Sequence, residues 1–323
     1  MPEVSVILPN YNHAKYLPER INSILRQTFR DFELIILDDC SMDNSREIIE
    51  TFRGEPRITH LIYNEENSGT TFKQWNKGIA LASSGYIWVA ESDDRCEPDF
   101  LEKAVEKMKA HPSAGIVYAQ STEVDEVNGG KFLSFSQHPR FSNQFNASYF
   151  NVGVNEIRDK LIYENTIPNA SGVLFKKEIY YACGGADESM RLCGDWMLWS
   201  KMLSISDVYF IAEPLNYFRL TNISARNRYA WLNTVNERMK VLNYITEHAG
   251  AFPLAKTIQV ASLKRIFKSF PLSKTAGAFR FAYDQSGDLK NKSNKIWKAF
   301  FLSLKDRLKR SFDNAGKELP LSS

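Results

Sequence analysis

Short apolar runs, each closed by a polar cluster and followed by a stripe at helical spacing, recur along the N-terminal third of the chain. Val4–Leu8 reads as a strand buried on both faces, and Pro18 opens a helix whose apolar side is Ile21, Ile24 and Leu25, ending near Phe29. Phe32–Leu37 is a second strand, after which Asp43 or Asn44 caps a helix carrying Ile48, Ile49 and Phe52. Ile58–Tyr63 is a third, followed by a helix over about Thr71–Ala82. Tyr86–Ala90, rich in β-branched and aromatic residues, is a fourth, and Pro98-Asp99 starts a helix bearing Leu101, Val105 and Met108. Later, Ile116–Ala119 and Val173–Phe175 predict strands, and Cys193-Gly194-Asp195 opens a helix with Trp196, Leu198, Trp199, Met202 and Leu203. Strand and helix alternating through short loops predict an α/β fold, a mostly parallel sheet flanked by helices.

The polar clusters close strands one (Pro9 to Asn12), two (Asp38, Asp39) and four (Glu91, Asp93, Asp94), so a parallel sheet gathers them on one edge. Three acids in the four positions Glu91 to Asp94 repel one another at the end of a buried strand. A divalent cation such as Mg²⁺ or Mn²⁺, which takes carboxylate and phosphate oxygens, removes that conflict. The alternative is a solvated turn whose acids cap the next helix. The first turn has no glycine, and no GxxxxGK[ST] loop occurs, which excludes a dinucleotide fingerprint or a P-loop. A nucleotide here would have its phosphates held through a metal on carboxylates, as in a nucleotide-sugar site.

At 323 residues the chain can bury a large core. Its formal net charge of +3 is unevenly spread, with about 19 Lys/Arg against about 7 Asp/Glu after Leu220. Cys40, Cys96, Cys183 and Cys193 form no CxxC pair, and they read as reduced core or near-site thiols. Neither a signal-peptide pattern nor a span-length apolar run is present, which predicts a cytoplasmic protein, soluble or peripheral at the inner face of the membrane.

The stretches VSVILPNYNHAKYL, INSILRQTFRDFELIILDDCSMDNS, NSGTTFKQWNKGIALASSGYIWVAESDD and GGADESMRLCGDWMLW, in that order, resemble family 2 glycosyltransferases of the Rossmann-like GT-A fold. The resemblance covers roughly residues 2–224. It implies a catalytic domain over residues 1–224 and a basic helical extension over 225–323. It also implies that Pro9, Tyr11 and Asp39 hold the nucleobase and ribose, that Glu91, Asp93 and Asp94 bind ribose and metal, and that Arg219 meets the diphosphate. Most members have Asp where this chain has Glu91, and Glu-Asp where it has Gly194-Asp195. The second acid of that pair is the family's general base, a role that suits Asp195. An acceptor hydroxyl must lose its proton as it attacks, and a carboxylate in reach can take it. Read from its position alone, Asp195 is equally a first-turn acid favoured by the helix dipole.

The implied activity is inverting transfer of a sugar from a UDP- or dTDP-type nucleoside-diphosphate sugar, with Mn²⁺ or Mg²⁺, to a saccharide or lipid-linked saccharide hydroxyl in cell-surface polysaccharide or glycolipid assembly. A non-catalytic nucleotide-sugar-binding scaffold and a sugar-1-phosphate nucleotidyltransferase are the alternatives. Within the middle segment from Ala114 to Tyr163, Gly129-Gly130 and the stretch Phe132 to Phe150 read as a long irregular connection, either an acceptor-shaping loop, as the resemblance implies, or an aromatic-pinned surface loop. Helices are expected over Tyr229–His248, Leu254–Phe270 and about Asn294–Phe312. In the last, Ile296, Trp297, Phe300, Phe301, Leu304 and Leu308 form a stripe among basic residues. That pattern fits an anionic membrane surface or packing on the catalytic domain, and no motif supports a nucleic-acid partner.

Overall fold

The computed structural model describes residues 1–221 and 231–248. The chain forms two compact units, one of Met1–Leu161 with Asn165–Arg228 and one of Ile162–Glu164 with Tyr229–Ser323. The first unit is built on a ten-stranded sheet. Its strands are β1 (Val4–Asn10), β2 (Phe32–Asp38), β3 (Ile58–Tyr63), β4 (Tyr86–Val89), β5 (Arg95–Cys96), β6 (Ala114–Asp125), β7 (Lys131–Leu133), β8 (Tyr149–Asn151), β9 (Val173–Lys176) and β10 (Asp207–Leu220). The order is β3-β2-β1-β4-β9-β6-β10-β5, with β7 beside β6 and β8 beside β10. β1 pairs parallel with β2 and β4, and β2 with β3, while β9 runs antiparallel between β4 and β6. The chain therefore turns outward in both directions from β1, and the switch point lies where β1 and β4 end side by side.

The helices of this unit are α1 (Leu17–Leu25), α2 (Ser45–Glu50), α3 (Thr71–Leu81), α4 (Phe100–Ala110), α5 (Gly153–Glu156), α6 (Lys177–Ala182) and α7 (Gly194–Leu203). The α/β expectation and the flanking helices are found, with strand and helix bounds mostly within a residue or two of the pattern. α1 is shorter than expected, stopping at Leu25 rather than near Phe29. α2 begins after Asn44, but its end is served by Asp43, whose Oδ1 accepts from Ser45 N at 3.0 Å. One core cluster joins one face of β1 (Val4, Val6, Leu8) and β2 (Phe32, Leu34, Ile36) to Leu17, Ile21 and Ile24 of α1 and to Phe100, Leu101, Val105 and Met108 of α4, all buried.

The middle segment is more ordered than its composition implies. Ala114–Asp125 is one twelve-residue strand rather than the four residues Ile116–Ala119. The connection after β7 is pinned by aromatic rings, with Phe141 and Phe145 buried and ring centroids 5.5 Å apart between Phe135 and Phe145 and 5.2 Å between Phe145 and Phe210. Of the second unit, α8 (Trp231–His248) is described, and Arg238 lies 3.8 Å from Glu164. No helix among the described residues is long and apolar enough to cross a membrane. The basic stripe of residues 294–312 and the helix expected over Leu254–Phe270 lie outside the described residues.

Candidate active site

The loops that follow β1, β2 and β4 are laced together. Asn10 Nδ2 donates to Asp38 Oδ1 (2.7 Å), Asn12 N to Ser41 Oγ (2.9 Å) and Met42 N to Asn12 Oδ1 (2.7 Å). His13 Nδ1 lies 2.8 Å from Ser92 Oγ, which ties the first loop to the acidic turn. Asn12 (φ 56°) and Cys40 (φ 63°) both hold left-handed backbone, which costs free energy in residues with a Cβ and clusters at functional sites. Pro9 is buried at the end of β1 opposite Leu37, and Tyr11, the next loop residue but one, is half-buried.

Asp39 is deeply engaged. Its Oδ1 accepts from Asn64 Nδ2 (2.7 Å), Ser68 N (2.9 Å) and Gln74 Nε2 (2.9 Å), and its Oδ2 from Asn67 Nδ2 (3.1 Å) and Ser68 Oγ (2.8 Å). Five donors on a residue 5 % exposed make Asp39 the anchor of the loop between β3 and α3. The apolar pattern does not single out Gln74. A polar residue among Phe72, Trp75 and Ile79 on the buried face of α3 was the available signal.

The three acids after β4 have three different environments. Glu91 faces α3, its Oε1 accepting from Trp75 Nε1 (2.8 Å) and Thr71 Oγ1 (3.2 Å). Burial, with the neighbouring Asp93 charge, pushes its carboxyl up to about 8. Asp94 is 1 % exposed. Its Oδ1 accepts from Arg219 N (3.1 Å), and its Oδ2 from Ser171 Oγ (2.7 Å) and Asn169 Nδ2 (2.8 Å). Asp93 is half-buried, and burial raises its carboxyl against the opposing charges of Arg20 and Arg219. Burial, and then the charge of Asp93, raises Asp94 as well.

Arg219, expected to meet a phosphate, has its guanidinium engaged within the protein. Nη1 donates to Asp93 O (2.7 Å), Nη2 bonds Glu19, and Nε lies 3.3 Å from Glu126 Oε1, with the side chain 8 % exposed. It braces the acidic turn through the Asp93 carbonyl. Its partners lie up to 200 residues away in sequence, so no local signal reveals this.

Asp195 is the second residue of α7 and half-buried. Its Oδ1 accepts from Trp196 N (2.7 Å) and its Oδ2 from Asn165 Nδ2 (3.0 Å). Buried Trp196, Leu198, Trp199, Met202 and Leu203 seat the helix, and Trp196 Nε1 donates to Leu161 O (3.0 Å). The segment from Asn165 to Ser171 thus touches the α7 carboxylate at one end and Asp94 at the other.

The acidic turn itself offers hard carboxylate oxygens, and the His13 imidazole beside it is taken up by Ser92. No three Asp, Glu, His or Cys side chains gather into a metal-holding group among the described residues. Mg²⁺ and Mn²⁺ commonly take one or two carboxylates, with the rest of the shell from phosphate and water. Of the acids here half-buried Asp93 suits that habit, while both oxygens of Asp94 already accept from protein donors.

Residues 5–166 match the family described as Glycosyl transferase family 2. The chain is 33 % identical over 130 residues to glycosyltransferase GlyG of Streptococcus pneumoniae, which covers 40 % of this chain and 42 % of that protein, so it spans less than half of that relative's length. Among solved structures, Staphylococcus aureus TarS (residues 1–349) in complex with UDP-GlcNAc superposes with a TM-score of 0.68 at 18 % identity, covering 86 % of this chain and 79 % of that one. The mannosyltransferase PcManGT of Pyrobaculum calidifontis, in complex with GDP-Man and Mn²⁺, gives 0.55 at 16 %, covering 94 % and 88 %. Those two likenesses establish a shared fold, and the residue-level match over half the sequence goes further: this chain belongs to glycosyl transferase family 2.

Proposed function

We propose that the protein transfers a sugar from a nucleoside-diphosphate sugar to a hydroxyl acceptor with inversion at the anomeric carbon. The observation that carries this reading is the strap Asn165–Ser171, which joins a half-buried carboxylate at the start of α7 to the acidic turn at the switch point. A base and a carboxylate that could hold a cation, both gripped by one segment, meet the needs of single displacement, in which an acceptor loses a proton while a diphosphate departs.

In this mechanism the loops after β1 and β2 receive the nucleoside, with Pro9, Tyr11 and Asp39 at their edge. Asp93 or Asp94 would hold a Mn²⁺ or Mg²⁺ ion, which would supply positive charge against the leaving diphosphate. Arg219 and Glu19 fix the backbone of the turn so that Asp93 keeps its place. Asp195 takes the proton of the attacking hydroxyl. The donor is proposed as a UDP- or dTDP-type sugar and the acceptor as part of cell-surface polysaccharide or glycolipid assembly. The likeness to TarS, a poly(ribitol-phosphate) β-N-acetylglucosaminyltransferase whose structure carries UDP-GlcNAc, supports the uridine and polysaccharide parts. The basic stripe of residues 294–312 is proposed as the part that meets an anionic membrane surface. Asp195→Asn tests the reading. Turnover should collapse while Mn²⁺-dependent nucleotide binding by calorimetry persists, and retained transfer rejects the assignment.

A further inference from the structure

We infer that Asn165 is a positioning residue that fixes the carboxylate of Asp195 for proton abstraction, an inference resting on the assignment of Asp195 as base. Asn165 Nδ2 donates to Oδ2 at 3.0 Å while Trp196 N donates to Oδ1 at 2.7 Å, so each oxygen of the carboxylate is held from its own element. Without the amide, rotation about the Asp195 side chain meets one fewer restraint, and the accepting oxygen loses its fixed direction.

The amide is not placed for stability. Asn165 Oδ1 is buried and has no hydrogen-bond partner among the described residues. An unmet buried acceptor is destabilising, and turning the amide over would put Oδ1 against the Asp195 carboxylate, which is worse. The orientation observed is the one that serves Asp195 at the expense of Asn165. Four residues on, Asn169 donates to Asp94 at 2.8 Å, and Ser171 Oγ both donates to Asp94 (2.7 Å) and accepts from Glu91 N (3.0 Å). The same segment therefore sets the base relative to the acidic turn, and Asn165 is where it grips the base.

The test compares Asn165→Leu, Asn165→Ala, Asp195→Asn and the Asn165→Leu/Asp195→Asn double variant in the full chain. A panel of UDP-glucose, UDP-galactose, UDP-N-acetylglucosamine, dTDP-glucose and GDP-mannose with Mn²⁺ is followed by nucleoside-diphosphate release. Asn165→Leu removes both the donor and the unmet acceptor, so Tm should hold or rise while kcat falls about 10–100-fold, with KM for the donor and the Kd of UDP with Mn²⁺ unchanged. The double variant should be no slower than Asp195→Asn alone. Full kcat in both Asn165 variants, with Asp195→Asn inactive, overturns the positioning role and leaves the base standing. Parallel losses of kcat, Tm and UDP affinity also overturn it, assigning Asn165 to the scaffold. An active Asp195→Asn, or no turnover of any donor by the wild type, overturns the base and this inference together.

Discussion

Gly194 and Phe72 share one space: a Cβ built on Gly194 would lie 2.3 Å from the Phe72 ring. That contact accounts for the departure at the position before Asp195, where the resembling family carries Glu. α3 delivers a phenyl ring to the start of α7, and only a residue without a side chain can pass beneath it. Phe72 is itself buried, with its ring centroid 5.0 Å from that of Trp75, so it has no easy retreat. Gly194→Ala should therefore destabilise the fold by about 1–3 kcal/mol through overpacking. Urea unfolding measures it, and in a Phe72→Ala background, itself destabilised by the lost ring, Gly194→Ala should cost little further. Additive effects of the two substitutions would show that the ring and the glycine are independent.

Asp39 offers a second test, because its five donors come from Asn64, Asn67, Ser68 and Gln74. Asp39→Ala strands those buried donors at once. Loss of hydrogen bonds to a buried charge predicts a fall of about 2–4 kcal/mol, greater than that of any single donor variant such as Ser68→Ala. Hydrogen exchange should show the loop between β3 and α3 opening while the β1–β2 ladder stays protected.

Much of the architecture was readable because the physics that fixes it is local. β1, β2 and β4 are apolar runs buried on both faces, and α3 and α4 carry their apolar stripes and starts within a few residues. β10 was not readable, since Glu213, Pro214 and Asn216 interrupt its pattern, and its pairing with β6 shifts register around Pro214. Bulges absorb such residues once a partner strand exists. The acids after β4 were legible as a cluster but not as individuals. Glu91 turns to Trp75, Asp94 to Asn169 and Ser171, and Arg219 to Glu19 and Glu126, through contacts that span 16 to 200 residues. Spacing in sequence carries no trace of them.

The unlike surroundings of Asp93 and Asp94 predict unlike variants. Asp94→Asn places an amide NH₂ or a weaker carbonyl against Asn169, Ser171 and the Arg219 backbone N–H, all of them donors. It should lower Tm by several degrees whether or not Mn²⁺ is present. Asp93 is half-buried, and Asp93→Asn relieves its repulsion with Asp94. That variant should keep or raise Tm in the absence of metal, yet lose on the order of 100-fold in Mn²⁺-stimulated turnover. Thermal melts with and without Mn²⁺ separate the two, and equal behaviour would show that the acids share one role.

Glu33 gives the fold its clearest acid sensitivity. It sits in β2 at 5 % exposure, accepting from Ser5 Oγ (2.6 Å), Ser83 N (2.8 Å), Ser83 Oγ (2.7 Å) and Thr59 Oγ1 (2.9 Å). Burial by itself would raise its carboxyl, but the four donors outweigh it and hold the group below its ordinary 4.5. A carboxylate whose folded value is depressed adds stability that is fully present above the unfolded value. That stability drains away as pH falls from about 4.5 through the lower folded value, because only then must the folded state take up the proton. Gln at this position can keep the Oε1 contacts and cannot ionise. Glu33→Gln should therefore cost about 1–2 kcal/mol at neutral pH and progressively less below pH 4.5, where wild type and variant converge. Urea titrations across pH 3–7 read the difference directly. A gap that stays constant or widens in acid would mean that Glu33 is not ionised in the folded protein, and that its hydroxyl partners are there to solvate a neutral acid.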